Sequence, residues 1–363
     1  MNEELILCTG GGTGGHVFPG LAVVEALSET WGGEVGWIGS ARGVERDIVE
    51  GAGLRYWAIP AGKLRRYISV ANLVDAFRVL FGVFAALVLL IRLKPKALFS
   101  KGGFVTVPPV LAARILGIPV FSHESDLDPG LATRINSRFS RRIFIPYEES
   151  RRHYPGKLQD RLVVSGNPVR RRVLEGSVTE GRRFAGFSGR RPIVLFSGGS
   201  QGAAQINGIL AEILPELLER ADIIHQRGPH DPPRRNDAHY VSFSFLVHEF
   251  PDLLAAADLV VARAGAGTIS ELSATGTPAV LVPLMFGSSR GDQVRNAALY
   301  ADAGAAVTLE GEAAWAETVR DTVFALLDDP ARRRSMAEAA RGFGADRAAD
   351  LIARTLMEAP GRR

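Results

Sequence analysis

Apolar positions along the chain fall into two alternating rhythms. Short, nearly continuous apolar runs alternate with longer segments in which apolar residues recur every three or four positions. The short runs predict buried strands near Leu5–Cys8, Glu34–Ile38, Ala97–Ser100, Val120–Ser122 and Ile143–Ile145 in the first half. In the second half they fall near Ile193–Phe196, Ile223–His225, Leu259–Ala262 and Ala279–Val282. The intervening segments read as helices. Strand–helix alternation of this kind predicts an α/β chain with parallel sheets covered by helices on both faces. The stretch from Arg170 to Arg190 is polar and rich in arginine and glycine. After it the chain begins again with a strand, a glycine turn and a helix, repeating its own opening. Two similar folding units follow from that repeat. The alanine-rich tail from Glu338 to Met357 reads as a terminal helix.

One segment breaks the rhythm. From Ala71 to Ile91 a helical stripe runs through Leu73, Phe77, Leu80, Phe84, Leu87 and Ile91, and beyond Val79 the other faces are apolar too. Such a helix is expected to be covered on all sides, by protein or by lipid. The unbroken apolar run Val79–Ile91 is short for a membrane span of about 20 residues. Lys63, Arg65 and Arg66 flank it on one side, and Arg92, Lys94 and Lys96 on the other. An ordinary core helix and a peripheral patch on an anionic membrane surface both fit this pattern.

Composition narrows the classes. At 363 residues the chain is long enough for two domains. Its single cysteine, Cys8, rules out an internal disulfide framework or a zinc cluster and reads as a small core residue. The opening shows no basic-then-apolar leader, so a cytoplasmic location is expected. A net charge of +4 does not argue for nucleic acid, and the arginine clusters lack interleaved aromatics; no nucleic-acid partner is expected.

The chemistry concentrates in glycine-rich turns between strand and helix, where free N–H groups at a helix start can hold an anion. The first runs Gly11-Gly12-Thr13-Gly14-Gly15-His16. It lacks the acidic residue expected at the end of the second strand in a dinucleotide fold, because Trp37-Ile38-Gly39-Ser40 stands there, and no Gly-Lys-Ser/Thr occurs. His16, at the start of the helix, is a candidate proton acceptor. The second turn, Ser197–Gly202, offers amides, the Ser200 hydroxyl and the Gln201 side chain to a diphosphate. The third, Ala264–Glu271, places Ala266, Gly267, Thr268, Ile269 and Ser270 at a helix start. It ends in Glu271, a carboxylate suited to a ribose diol. Arg170 could add a positive charge where the two units meet. Asp292, Gln293 and Asn296 can share one helix face toward sugar hydroxyls.

Taken in order, these motifs resemble the MurG family of glycosyltransferases, glycosyltransferase family 28. The resemblance rests on Gly11–Pro19, Lys101–Val105, His123-Glu124, Gly166–Arg170, Gly198–Ala203 and Arg263–Glu271, which together span nearly the whole chain. It implies the GT-B fold: two Rossmann-like, doubly wound parallel-sheet domains facing a central cleft. The N-terminal, acceptor- and membrane-facing domain would comprise residues 1–165, and the donor-binding domain residues 166–339. A C-terminal helix at about 340–363 would pack back on the first.

The resemblance further implies an inverting transfer of N-acetylglucosamine (GlcNAc) from UDP-GlcNAc to the 4-hydroxyl of undecaprenyl-diphospho-muramoyl-pentapeptide (lipid I), giving lipid II. Donor contacts would fall on Thr13, Gly14, Gly15, Arg170, Ser200, Val247, Ala266–Glu271 and Gln293. Glu271 would take the ribose, and the backbone near Val247 the uracil. The chain carries Ser125-Asp126 where many members carry Gln-Asn, so His16 and Asp126 both stand as candidate bases. No metal ligands are assigned and no cofactor is required, with Mg2+ assistance left open. Peripheral attachment to the cytoplasmic face of the membrane and contact with cell-wall synthesis proteins would follow. Two other readings share the fold: a GT-B transferase with another lipid acceptor, such as diacylglycerol, and a UDP-GlcNAc 2-epimerase. A non-catalytic nucleotide-binding scaffold and a nicotinamide oxidoreductase are further alternatives.

Overall fold

In the computed structural model the described residues are 4–360, apart from 13, 44, 63–69, 200, 233–235, 286–290 and 344–346; the side chains of 70–76 and 312–313 are also outside the description. The chain divides into two compact units, Met1–Arg170 with Arg347–Arg363, and Arg171–Asp346.

The first unit is built on seven strands: β1 (Leu5–Thr9), β2 (Glu34–Ser40), β3 (Arg55–Ile59), β4 (Ala97–Ser100), β5 (Val120–His123), β6 (Arg142–Ile145) and β7 (Leu162–Val164). All pair in parallel, in the order β3-β2-β1-β4-β5-β6-β7. The second unit repeats the plan with β8 (Ile193–Ser197), β9 (Asp222–Gln226), β10 (Tyr240–Phe243), β11 (Leu259–Ala262), β12 (Ala279–Leu281) and β13 (Ala306–Thr308). Their order is β10-β9-β8-β11-β12-β13, again all parallel. The four strands that the apolar pattern did not predict, β3, β7, β10 and β13, are the four sheet edges. β7 and β13 are only three residues long, and β3 and β10 mix polar with apolar positions, so the continuous apolar signal of a central strand is missing.

The order reverses between β1 and β4 in the first sheet, and between β8 and β11 in the second. In open parallel sheets such a reversal leaves a crevice at the carboxyl ends of the strands, where ligands bind. Each of the four strands at these points ends in one of the glycine motifs. The sequence repeat is thus a repeat of topology.

In the first unit, Ile6, Cys8, Phe99, Phe121 and Phe144 pack beneath the Gly14–Thr30 helix. Burial pushes the Cys8 thiol up to about 12, which leaves it an un-ionised core residue. Ile352, Ala353 and Leu356 of the Ala348–Met357 helix join the same core. Burying a leucine or isoleucine side chain contributes roughly 1.5–3 kcal/mol, enough to hold a helix of this length in place. The tail expected to form a single helix from Glu338 to Met357 forms two, Pro330–Arg341 in the second unit and Ala348–Met357 in the first. Gly342 caps the former.

The apolar segment forms the Val70–Leu93 helix. It buries one narrow face, Gly82, Ala86 and Leu90, at a spacing of four, against Pro60 and the Val107–Ile115 helix. A methyl group on Gly82 would sit 2.3 Å from the Pro60 carbonyl oxygen, so a small residue is required there. Its other face leaves Phe77, Leu80, Phe81, Phe84 and Ile91 exposed, Phe84 by 67%. Among the described residues no helix is long and apolar enough to cross a membrane. Lys63, Arg65 and Arg66 lie outside the described residues.

Candidate functional site

In the first unit the loop after β1 is held by a residue that the sequence motif did not include. Glu45, fully buried, accepts the Gly12 N–H at 3.2 Å through Oε2, and the Ser40 N–H and Oγ at 3.1 and 2.5 Å through Oε1. It arrives five residues after the position where a dinucleotide fold would place its acidic residue, and it turns inward to the loop. One backbone donor of the loop is therefore occupied by a carboxylate of the protein itself. The Trp37 Nε1–H fixes the other side, donating to the Gly10 carbonyl at 3.1 Å. Thr13 lies outside the described residues.

His16 is the third residue of the Gly14–Thr30 helix and is half-buried. The loop after β4, Lys101-Gly102-Gly103, passes directly against it. Gly103 takes φ 87°, and a methyl group there would lie 2.2 Å from the Gly11 carbonyl oxygen and 3.2 Å from His16 Cδ2. Only glycine allows the two loops to approach so closely. Phe18 of the same helix stacks beneath the guanidinium of Arg170, 4.8 Å from its ring centre.

After β5 comes His123-Glu124-Ser125-Asp126. His123 Nε2 donates to the Gly166 carbonyl at 3.1 Å. Burial, with the Lys101 charge, holds its pKa well below the usual 6.5, so the ring is neutral. Glu124 shapes the loop: Oε1 accepts the N–H groups of Ser125 and Asp126 at 2.8 and 3.2 Å, and Oε2 that of Gly130 at 3.0 Å. Asn167, from the Gly166–Arg170 motif, donates to the Ser125 carbonyl at 3.1 Å. Asp126 itself is half-buried at the rim. Lys101 is almost fully buried, and its Nζ donates to Ser125 Oγ at 2.6 Å. Burial lowers its pKa to about 8, against the raising effect of Glu124 and Asp126. Motif reading quoted Lys101 but assigned it no role; the signal was a charged residue directly after a buried strand. The strand ends thus bring His16, Lys101 and Asp126 to the same edge of the first sheet.

In the second unit, the turn after β8 is closed by a backbone approach between Gly202 (φ 76°) and Gly228 (φ 90°). A methyl group on Gly202 would lie 2.4 Å from the Arg227 carbonyl oxygen. Ser197 Oγ accepts the Gly199 N–H at 3.3 Å. Ser200 lies outside the described residues. Gln226, at the end of β9, donates to Ser197 Oγ at 3.2 Å and accepts the Leu246 N–H at 3.3 Å. It thereby ties the loop carrying half-buried Val247 to the sheet.

The loop after β11 leads into the Ala266–Thr275 helix, whose N-cap, Gly265, brings no capping side chain. The first N–H bonded inside the helix is that of Ile269, to the Gly265 carbonyl at 3.0 Å. The N–H groups of Ala266, Gly267 and Thr268 point out of the helix start, with the positive end of its dipole behind them. A methyl group on Gly267 would meet nothing within 4 Å. The Ile269 and Ser270 side chains face inward, and Ser270 Oγ donates to the Ala266 carbonyl at 2.6 Å. Outward-facing chemistry at this helix start is carried by the three N–H groups, the half-buried Thr268 and the half-buried Glu271. Gln293 accepts the Leu284 N–H at 2.9 Å, which fixes the chain between β12 and the Asp292–Asp302 helix. Asn296 is buried and does not share an open face with Asp292 and Gln293.

Asp126-Leu127-Asp128 has the two-carboxylate spacing of a metal motif, which the sequence reading passed over. Asp128 is ion-paired with Arg134 at 2.6 Å. Among the described residues no group of three or more His, Cys, Asp or Glu is placed to hold a metal ion.

Two parallel-sheet units with helices on both faces, each with a glycine-loop crevice at its switch point, define a GT-B-type fold, the class to which many glycosyltransferases belong. Residues 6–145 match the glycosyltransferase family 28 N-terminal domain, and residues 193–353 its C-terminal domain. The chain belongs to glycosyltransferase family 28. It is 40% identical over 381 residues to a Treponema denticola protein, with 96% of each chain covered. Against a Clostridium botulinum protein it is 45% identical over 309 residues, 85% of this chain and 86% of the other. Both carry the name UDP-N-acetylglucosamine–N-acetylmuramyl-(pentapeptide) pyrophosphoryl-undecaprenol N-acetylglucosamine transferase. Among solved structures, Acinetobacter baumannii MurG matches with a TM-score of 0.72 at 26% identity, over 98% of this chain and 99% of that one. A UDP-GlcNAc 2-epimerase from Neisseria meningitidis matches with a TM-score of 0.69 at 16% identity, over 98% of this chain and all of that one, a likeness of fold alone.

Proposed function

We propose that this protein transfers GlcNAc from UDP-GlcNAc to the muramoyl 4-hydroxyl of undecaprenyl-diphospho-muramoyl-pentapeptide, forming lipid II with inversion at the sugar C1. The observation that carries the reading is the identity of 40–45% to proteins of that named activity over most of the chain. The likeness to epimerases is of fold and does not extend to comparable identity.

In this reading the second unit holds the donor. The N–H groups of Ala266, Gly267 and Thr268 take the diphosphate at the helix start, assisted by the turn after β8. Glu271 accepts from the ribose hydroxyls, and the backbone near Val247, anchored through Gln226, reads the uracil. As the C1–oxygen bond breaks, negative charge grows on the departing UDP. The fixed helix dipole and Arg170 stabilise that charge without reorganising. These groups do the work that needs a cofactor elsewhere, so none is required; titration with Mg2+ and with EDTA measures any assistance.

The first unit holds the acceptor. His16 or Asp126 takes the 4-hydroxyl proton as the oxygen attacks C1. The exposed face of the Val70–Leu93 helix, with Arg78 and Arg92 beside it, docks the unit on the cytoplasmic face of the membrane that anchors the lipid acceptor. Incubating the pure protein with UDP-GlcNAc and a short-chain lipid I analogue tests the assignment. Growth of the acceptor by one N-acetylhexosamine is expected. Donor binding with no transfer would move the search to another acceptor.

A further inference from the structure

Among the described residues Lys101 is the one buried ammonium at the carboxyl ends of the strands where the first sheet carries its candidate base, and its partners are unusual. It is 1% exposed, yet the only side chain to which its Nζ is hydrogen-bonded among the described contacts is a neutral hydroxyl, Ser125 Oγ, at 2.6 Å. A buried ammonium is costly unless opposite charge lies close. That charge comes from the neighbouring loop. β4 and β5 pair in parallel with Ser100 opposite Ser122, so Lys101 and the His123–Asp126 loop leave the sheet side by side.

The loop has the opposite problem. Glu124 and Asp126 are two carboxylates separated by one residue at a largely buried strand end, where like charges repel and a nearby cation is favourable. Glu124 is held in place by the three N–H groups it accepts. Asp126, nearer the rim, donates its own N–H to Glu124. His123, which also feels the Lys101 charge, is neutral. Lys101 brings a positive charge to both carboxylates.

We infer that Lys101 is a positioning residue for Asp126: its ammonium, seated on Ser125 Oγ, fixes the loop that presents the Asp126 carboxylate to the acceptor. Burial opposes the charge on Lys101, and the two neighbouring carboxylates favour it. The inference rests on the acceptor reading of the first unit.

The test is a double-mutant cycle in the full-length protein. Lys101→Met removes the charge and keeps the stem; Asp126→Asn removes the carboxylate. Transfer to the lipid I analogue is read as kcat and KM, and UDP binding is read separately. Lys101→Met is expected to lower kcat roughly tenfold to a hundredfold, with UDP binding unchanged. In the Asp126→Asn background the same change should have little further effect, and Lys101→Arg should restore part of the loss. Costs that multiply independently in the double variant would overturn the inference. Asp126→Asn with full activity would instead remove Asp126 from the acceptor reading. If Lys101→Met folds poorly, the same cycle is read in thermal stability. Rescue by Asp126→Asn supports the coupling, and additive destabilisation contradicts it.

Discussion

Glu45 Oε2 lies 3.2 Å from the backbone nitrogen of Gly12, so a buried carboxylate holds the first glycine loop. The same carboxylate serves both hydrogen-bond donors of Ser40, which joins the end of β2 to the loop after β1. Replacing it leaves three partly buried donors without their acceptor and opens a cavity. Glu45→Ala should lower stability by roughly 2–4 kcal/mol, and Glu45→Gln by less, because one amide oxygen still accepts. Urea denaturation of both variants checks the order. Equal stability in all three proteins would mean that the loop holds its shape without Glu45.

Gly267 separates folding from donor binding. Its position is helical, and an added methyl group meets nothing within 4 Å, so Gly267→Ala should leave the melting temperature unchanged or raise it, by up to about 1 kcal/mol of helix propensity. The same methyl group projects where the donor diphosphate is proposed to lie. The KM for UDP-GlcNAc should rise severalfold while the fold is intact. A variant with an unchanged KM would place the diphosphate elsewhere.

His123 sets an acid limit on the first unit. Its folded pKa lies well below 6.5 because burial, and then the Lys101 charge, oppose protonation. Above about pH 6.5 the ring is neutral in both folded and unfolded chains and contributes no pH dependence. Below that, the unfolded chain binds a proton that the folded chain refuses, so stability falls as pH falls. His123→Gln keeps a donor for the Gly166 carbonyl and removes the titration. Urea midpoints between about pH 7.5 and about pH 5 should fall more steeply for the parent than for this variant. Parallel slopes would assign the acid limit to other groups.

The exposed face of the Val70–Leu93 helix can be altered without touching the core. Phe81 and Phe84 are 66% and 67% exposed, so Phe81→Asp and Phe84→Asp should change stability by less than about 0.5 kcal/mol. Each should weaken binding to phosphatidylglycerol vesicles about tenfold or more, since one phenylalanine contributes roughly 1.5–3 kcal/mol on leaving water. Co-sedimentation reads the loss. Unchanged sedimentation would dissociate this face from the membrane.

The parts of the molecule legible in its sequence were those with a continuous signal. Central strands such as Leu5–Thr9 and Leu259–Ala262 are buried on both faces and read as unbroken apolar runs. The glycine turns after β1, β4, β8 and β11 were legible because close backbone approach admits little else. The edge strands were not, since Arg55-Tyr56-Trp57-Ala58-Ile59 carries charge and aromatic residues on a half-open edge. Nor was Glu45. A lone glutamate in Arg42-Gly43-Val44-Glu45-Arg46 looks like surface until the chain folds its carboxylate back onto Gly12. Lys101 was visible as a letter of a motif, but its burial depends on the β5 loop closing over it. For the Val70–Leu93 helix the sequence left open whether protein or a membrane surface covers its apolar faces. The structure buries a strip of small residues and leaves the phenylalanines out, a distinction that hydrophobicity alone does not carry.

The most direct test of the central claim is release of UDP from UDP-GlcNAc, followed with and without the short-chain lipid I analogue, with the sugar product analysed in both. The account predicts that UDP appears only with the acceptor, in step with its glycosylation, and that the donor alone is returned unchanged. UDP released in the absence of acceptor, together with N-acetylmannosamine, would contradict it and make the chain an epimerase on the same fold.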